Sequence, residues 1–162
     1  MMFGEGAESL ADSVVIRPMV ANDLAAVVAI ERRCYPLPWP ESYFREVFTR
    51  PRSLCLVGVV QGRVVGYLMA DLFIDVWHIM NVCVDESARR RGIGAELMRT
   101  CISLSDRCPN CGHTLEVRIS NAVARDLYRS LGFVTTGVRP HYYTCDGEDA
   151  LCMWRDPRAC AS

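Results

Sequence analysis

One stretch constrains this chain more than any other: residues 82–95, Val-Cys-Val-Asp-Glu-Ser-Ala-Arg-Arg-Arg-Gly-Ile-Gly-Ala, where an apolar run gives way to a basic glycine loop and then to an amphipathic segment. That succession reads as strand, anion-binding loop and helix. The first N–H groups of a helix have no carbonyl partner within it, and the aligned peptide dipoles leave partial positive charge there, so a phosphate is a natural ligand. Gly92 and Gly94 let the backbone come close, and Arg89, Arg90 and Arg91 supply fork-shaped donors suited to phosphate oxygens. A short glycine loop is weak evidence by itself. It lacks the G-x-x-x-x-G-K-[ST] of a nucleotide P-loop and has too few glycines for a dinucleotide fingerprint.

The rest of the chain supplies a frame for that loop. A β-branched run at 14–19 predicts a first strand, and Asn22 sits where a helix N-cap would, with Leu24, Val27, Val28 and Ile30 following at helical spacing. Pro36, Pro38 and Pro40 end that helix and enclose Leu37 and Trp39 in a stiff apolar loop, either a substrate wall or a connector whose Trp39 fills the core edge, before a second helical pattern over 41–49. Residues 53–60 and 63–72, joined by Gln61-Gly62, predict a hairpin, and 76–84 a further strand. Leu97, Met98, Cys101, Ile102 and Leu104 give the helix after Gly94 one apolar face. A strand at 114–120, a helix at 121–131 stopped by Gly132, and strands at 133–138 and 150–154 complete the order, the last two separated by an aromatic loop, Tyr142-Tyr143, and an Asp146-Gly147 turn. The order describes a mixed α/β sheet with helices on both faces. Strand, helix, strand around 84–115 implies a parallel pair, with a ligand at the carboxyl ends of its strands.

Length and composition exclude several classes. A chain of 162 residues makes one ordinary domain that buries roughly 70% of its unfolded surface. We expect an N-terminal extension at 1–13, the domain at 14–158 and a short tail at 159–162. No apolar stretch reaches the ~18 residues of a membrane span, no secretory signal is visible, and a formal charge of -1 argues against a dedicated nucleic-acid binder. Nine cysteines without a regular pattern suit a reducing cytoplasm, as small buried hydrophobes or free thiols. A monomer is expected.

Two motifs together identify a resemblance. Arg89-Arg90-Arg91-Gly92-Ile93-Gly94 matches the acetyl-CoA signature of the GNAT acetyltransferases, and Asn121, Ala124, Leu127-Tyr128 and Gly132-Phe133 match a second signature in the same order, one strand later. Leu37-Pro38-Trp39, Leu115-Glu116-Val117-Arg118 and the run at 139–149 are similar to the bacterial ribosomal-protein-alanine N-acetyltransferases, the RimI type. The resemblance implies the GNAT fold: a mostly antiparallel sheet of about seven strands, with one splayed parallel pair and four helices on both faces. It also implies acetyl-CoA as cosubstrate without a metal, and a protein N-terminus, that of a ribosomal protein, as partner.

Moving acetyl from a thioester to an amine needs a neutral amine, a polarised carbonyl and a proton for the departing thiolate. An α-amino group has a pKa of about 8, so a modest base suffices. The resemblance assigns that role to Glu116, which alternation places with Thr114 and Arg118 on one face of its strand. An ion pair with Arg118 on a solvated face is the alternative use. The resemblance makes Tyr128 the general acid, a role compatible with packing of its ring. It also implies that Asn121 contacts the pantetheine arm, besides capping its helix. Backbone groups of Val82, Cys83 and Val84 would bind the pantetheine as an added strand, the loop 89–95 the pyrophosphate, and Leu37, Trp39, Tyr142 and Tyr143 would shape the substrate groove. Cys83, near the cofactor, is expected to confer sensitivity to alkylation. Action on lysine or a small amine, and a non-catalytic CoA-binding or ribosome-associated module, are the competing readings.

Cys108-Pro109-Asn110-Cys111 is half of a zinc ribbon without a second half, so two free thiols in a turn are expected. His78 and His141 are read as structural or loop residues, since nothing in the sequence pairs them with a nucleophile.

Overall fold

The computed structural model describes residues 13–108 and 110–157. The expected tail, and all of the expected extension except Ser13, lie outside them. Strands β1 (Val15–Pro18), β2 (Ser53–Val60), β3 (Arg63–Phe73), β4 (Val76–Val84), β5 (Gly112–Arg118), β6 (Val134–Tyr143) and β7 (Glu148–Arg155) form one sheet in the order β1-β2-β3-β4-β5-β7-β6. Helices α1 (Leu24–Cys34), α2 (Glu41–Thr49), α3 (Ile93–Ser105) and α4 (Ala122–Ser130) cover it. All neighbours run antiparallel except β4 and β5, which are linked by α3.

Side-chain alternation along β3 divides the core between two faces. Tyr67 and Met69 pack with Val27, Ile30, Phe44 and Val47 of α1 and α2, whereas Leu68 and Ala70 pack with Ile93, Leu97, Met98 and Cys101 of α3. Leu97 and Met98 are fully buried, and truncating such a side chain to alanine costs about 2–5 kcal/mol. The β2–β3 turn places Gln61 and Gly62 at φ 50° and 73°, the left-handed pair that a two-residue hairpin turn requires.

Three expectations change in detail. Asn22 does not cap α1: a single 3-10 turn, Ala21–Asp23, precedes the helix. The Asp23 carboxylate closes that 3-10 turn by accepting the Val20 N–H at 2.8 Å, clamped by Arg17 at 2.7 and 2.9 Å, and makes no side-chain capping bond to α1. Tyr142 and Tyr143 end strand β6 instead of lying in a loop, because β6 continues past a register irregularity between Arg139 and Tyr143. Cys108 and Cys111 are joined by a disulfide and are not free thiols; the turn after α3 brings their Cα atoms to 5.6 Å, within bonding reach.

The feature that positions the site is the β4–β5 seam. The two strands pair over only three positions, Val76 with Gly112, Trp77 with His113 and His78 with Thr114, and then diverge. Just beyond, β4 carries an extra residue against β3, since Met69 faces Asn81 while Ala70 faces Ile79, so Met80 bulges. Among the described residues no helix is long and apolar enough to cross a membrane.

Candidate active site

The opening between the diverging strands is a cavity of about 350 Å³. Its sides are Ile79 to Val82 of β4 and Leu115 to Arg118 of β5; Asn121 and Tyr128 close one end, and Leu37, Trp39, Tyr142 and Tyr143 stand around its mouth. Residues scattered from position 37 to 143 thus meet in one place.

Glu116 projects into this cavity with its side chain only 11% exposed. Its Oε2 lies 2.8 Å from His78 Nε2, and its Oε1 lies 3.7 Å from the Arg139 guanidinium. The His78 hydrogen bond, with Arg139 adding attraction, holds the carboxyl below its ordinary range against the opposing effect of burial. An ionised carboxylate only accepts, so His78 presents an N–H to it. His78, read as structural because nothing in the sequence paired it with a reactive group, is the hydrogen-bond partner of Glu116. The missing element was strand register: His78 faces Thr114, two residues and one pleat before Glu116, so both side chains emerge on the same face. The alternative pairing of Glu116 with Arg118 is not what the fold builds. Arg118 instead lies 3.9 Å over the Tyr143 ring and bonds Asp146 and Glu148, each at 2.9 Å, fastening the β6–β7 wall to β5.

Tyr128 reaches the cavity from α4 and packs its ring against Phe133, 6.0 Å between centroids. Burial pushes its phenol up to about 12, so it keeps its proton at neutral pH. Asn121 caps α4 by accepting the Ala124 N–H at 3.1 Å while bordering the cavity. Cys83 points the other way. Cys83 is 5% exposed in the core under α1 and α2, and burial raises the pKa of its thiol, which disfavours the thiolate.

The basic loop lies beyond the end of β4, outside the cavity. Arg89 folds back to donate to the Val84 carbonyl at 3.1 Å, and Arg90 and Gly92 take φ of 65° and 74°. No atom lies within 4 Å of where a Gly92 Cβ would stand, so the backbone there is open to a ligand. Ile93, 2% exposed, turns its side chain into the core, while Gly94 and Ala95 stand in the first turn of α3, whose N–H groups face outward along the axis. An open glycine, a helix start and a strand edge stripped of its neighbour are what a pyrophosphate with an extended arm requires, so acetyl-CoA fits the residues present. Among the described residues no group of three or more His, Cys, Asp or Glu is placed to hold a metal.

Comparison with known proteins agrees. Residues 24–133 match the model of the Acetyltransferase (GNAT) family. The [ribosomal protein bS18]-alanine N-acetyltransferase of Escherichia coli K12 is 34% identical over 140 residues, covering 85% of this chain and 94% of that protein. The crystal structure of the ribosomal-protein-S18-alanine N-acetyltransferase from Escherichia coli superposes with a TM-score of 0.83 at 32% identity, over 89% of this chain and 94% of that one. NAA60 of Arabidopsis thaliana in complex with acetyl-CoA shares the fold, with a TM-score of 0.82 at 19% identity over 89% of this chain and 99% of that one. With a seven-stranded sheet split between β4 and β5 and a family match over most of its length, this chain belongs to the GNAT family and is an N-acetyltransferase.

Proposed function

We propose that the chain acetylates the α-amino group of a protein, with the N-terminal alanine of a small-subunit ribosomal protein as the substrate. The observation that carries this reading is the cavity itself, where a buried, ionised carboxylate and a neutral phenol border one opening between peptide-sized aromatic walls. The alanine and the ribosomal protein come from the name of the Escherichia coli relative.

Acetyl-CoA, when bound, supplies an activated acyl group on a thiol leaving group. Glu116 accepts the proton that the amine releases, directly or through one water, and the His78 N–H holds its carboxylate in place. A carboxylate held below its ordinary range is a mild base, but it is ionised throughout the neutral range, where an amine of pKa about 8 is already in part neutral, so it has only to take the proton that the nitrogen releases as the new C–N bond forms. Tyr128 donates its proton to the departing sulfur and regains one from solvent. Backbone groups at Val82, Cys83 and Val84 hold the pantetheine arm and polarise the thioester carbonyl, while Arg90, Arg91 and the backbone of 92–95 hold the pyrophosphate. Leu37, Trp39, Tyr142 and Tyr143 receive the first residues of the substrate.

The test is acetylation of a peptide panel that varies the first residue and includes an internal lysine, with the modified nitrogen located by mass spectrometry. Modification of the α-nitrogen, fastest with alanine first, is expected. Modification of the lysine side chain alone would replace this reading with that of a lysine acetyltransferase. Acetyl-CoA binding without turnover on any peptide would leave a CoA-binding module.

A further inference from the structure

Glu31 is a buried carboxylate with no part in the proton transfers above. It leaves α1 one turn before that helix ends and is 2% exposed, yet it borders the cavity. Its Oε1 accepts the backbone N–H of Trp39 at 3.0 Å. Its Oε2 accepts the Asn81 side-chain amide at 3.0 Å and the Tyr67 hydroxyl. A carboxylate is costly to bury unless hydrogen bonds replace its water, and here three neutral donors from the α1–α2 loop, β3 and β4 converge on it.

The loop that Glu31 grips has few other anchors. Of residues 35–40, Pro36, Pro38 and Pro40 have no N–H to donate. Of the remaining three amides, Glu31 accepts two: Tyr35 through its main-chain carbonyl at 3.0 Å, and Trp39 through its carboxylate. Residues 35–38 are exposed, so packing does little to hold them, and the Tyr35 hydroxyl ties them to β4 by donating to the Val82 carbonyl at a long 3.5 Å. Trp39 alone is half-buried, its ring 4.7 Å from Tyr43 and 5.3 Å from Phe44. The prolines make the loop stiff, and Glu31 fixes where the stiff piece stands.

At the other end of the network, Asn81 immediately follows the bulged Met80 and lies three residues after His78. One carboxylate therefore ties the wall carrying Leu37 and Trp39 to the strand that carries the partner of Glu116.

We propose that Glu31 is a positioning residue that sets the substrate wall against β4 and so governs affinity for the first residues of the peptide. This rests on the acetyltransferase reading.

Glu31→Gln preserves the acceptor for Trp39 but sets an amide NH2 against the Asn81 amide. The expected result is a peptide KM raised about tenfold, with kcat and the acetyl-CoA KM within about twofold of wild type, and faster amide hydrogen exchange over 35–40 by mass spectrometry. The double variant Glu31→Gln/Asn81→Asp reverses the roles of the pair and is expected to restore both readouts. Tyr67→Phe removes one donor, keeps the ring packed on Phe44 and is expected to raise the peptide KM about threefold; it carries the test if Glu31→Gln does not fold. An unchanged peptide KM with unchanged exchange overturns the proposal, as does an equal fall in turnover with both substrates and no rescue. If the wild-type chain acetylates no peptide, the transferase reading fails, whereas exchange over 35–40 still decides whether Glu31 holds the loop.

Discussion

His78 Nε2 and Glu116 Oε2 stand 2.8 Å apart across the seam between β4 and β5, joining by a side-chain bond two strands whose ladder has just ended. The bond is what depresses the Glu116 pKa, so removing the histidine leaves burial opposed mainly by the exposed Arg139. His78→Ala is therefore expected to shift the Glu116 titration upward. A carboxyl-carbon NMR titration reads this directly, and an unshifted curve would remove His78 from the site. The sign for stability follows: a depressed carboxylate contributes above its unfolded pKa, and that contribution disappears as pH falls through the lower folded value.

Glu116→Gln keeps the shape of the side chain and removes its basicity. We expect kcat to fall about 10²- to 10³-fold, within the range of a lost general base, with acetyl-CoA affinity by calorimetry unchanged. Full activity in this variant would move the base elsewhere.

Tyr128→Phe preserves the ring packed on Phe133 and removes the proton that burial holds up to about pH 12. A fall in kcat of about 10- to 100-fold is expected, with both KM values little changed. An effect on KM alone would make Tyr128 a packing residue.

Gly92→Ala tests the basic loop. An added methyl meets nothing within 4 Å, so the cost is conformational, about 1 kcal/mol for a side chain at φ 74°. The acetyl-CoA KM is expected to rise several-fold while the peptide KM stays constant. Steady-state kinetics with each substrate varied separates the two.

His113 predicts acid sensitivity remote from the site. It is fully buried, its Nε2 is 2.6 Å from the Ser105 hydroxyl, and burial, with Arg155 adding repulsion, lowers its pKa to about 4. The unfolded chain takes up this proton near pH 6.5 and the folded chain only near 4, so stability falls with pH across that window, by up to about 3 kcal/mol, and then levels. Urea unfolding at several pH values should show this slope, and His113→Leu should flatten it.

The fold was legible because its elements carry plain local signals. The hairpin at Gln61-Gly62, the apolar stripe of α3 and the Asn121 cap each depend on residues close in sequence. Motifs marked Glu116, Tyr128 and the loop 89–95 in the sequence; the first two border the cavity, and the loop follows the end of β4. His78 and Glu31 were missed for a common reason. Each acquires its strand partners from 36 to 50 residues away, and only the register of β3, β4 and β5 brings them together. The role of Asp23 in the 3-10 turn was hidden similarly, since Arg17 reaches it from the neighbouring strand. Cys108 and Cys111 misled differently. Their bond depends on how tightly one turn closes.

A ladder of three residue pairs is a short weld for a seven-stranded sheet. It divides the molecule into two unequal plates, β1 to β4 and β5 with β7 and β6, braced by α3 packed across the joint. Glu116 belongs to one plate and His78 to the other. A change in the angle between the plates would lengthen the His78–Glu116 bond, and the titration of Glu116 would then gauge how far the joint is open.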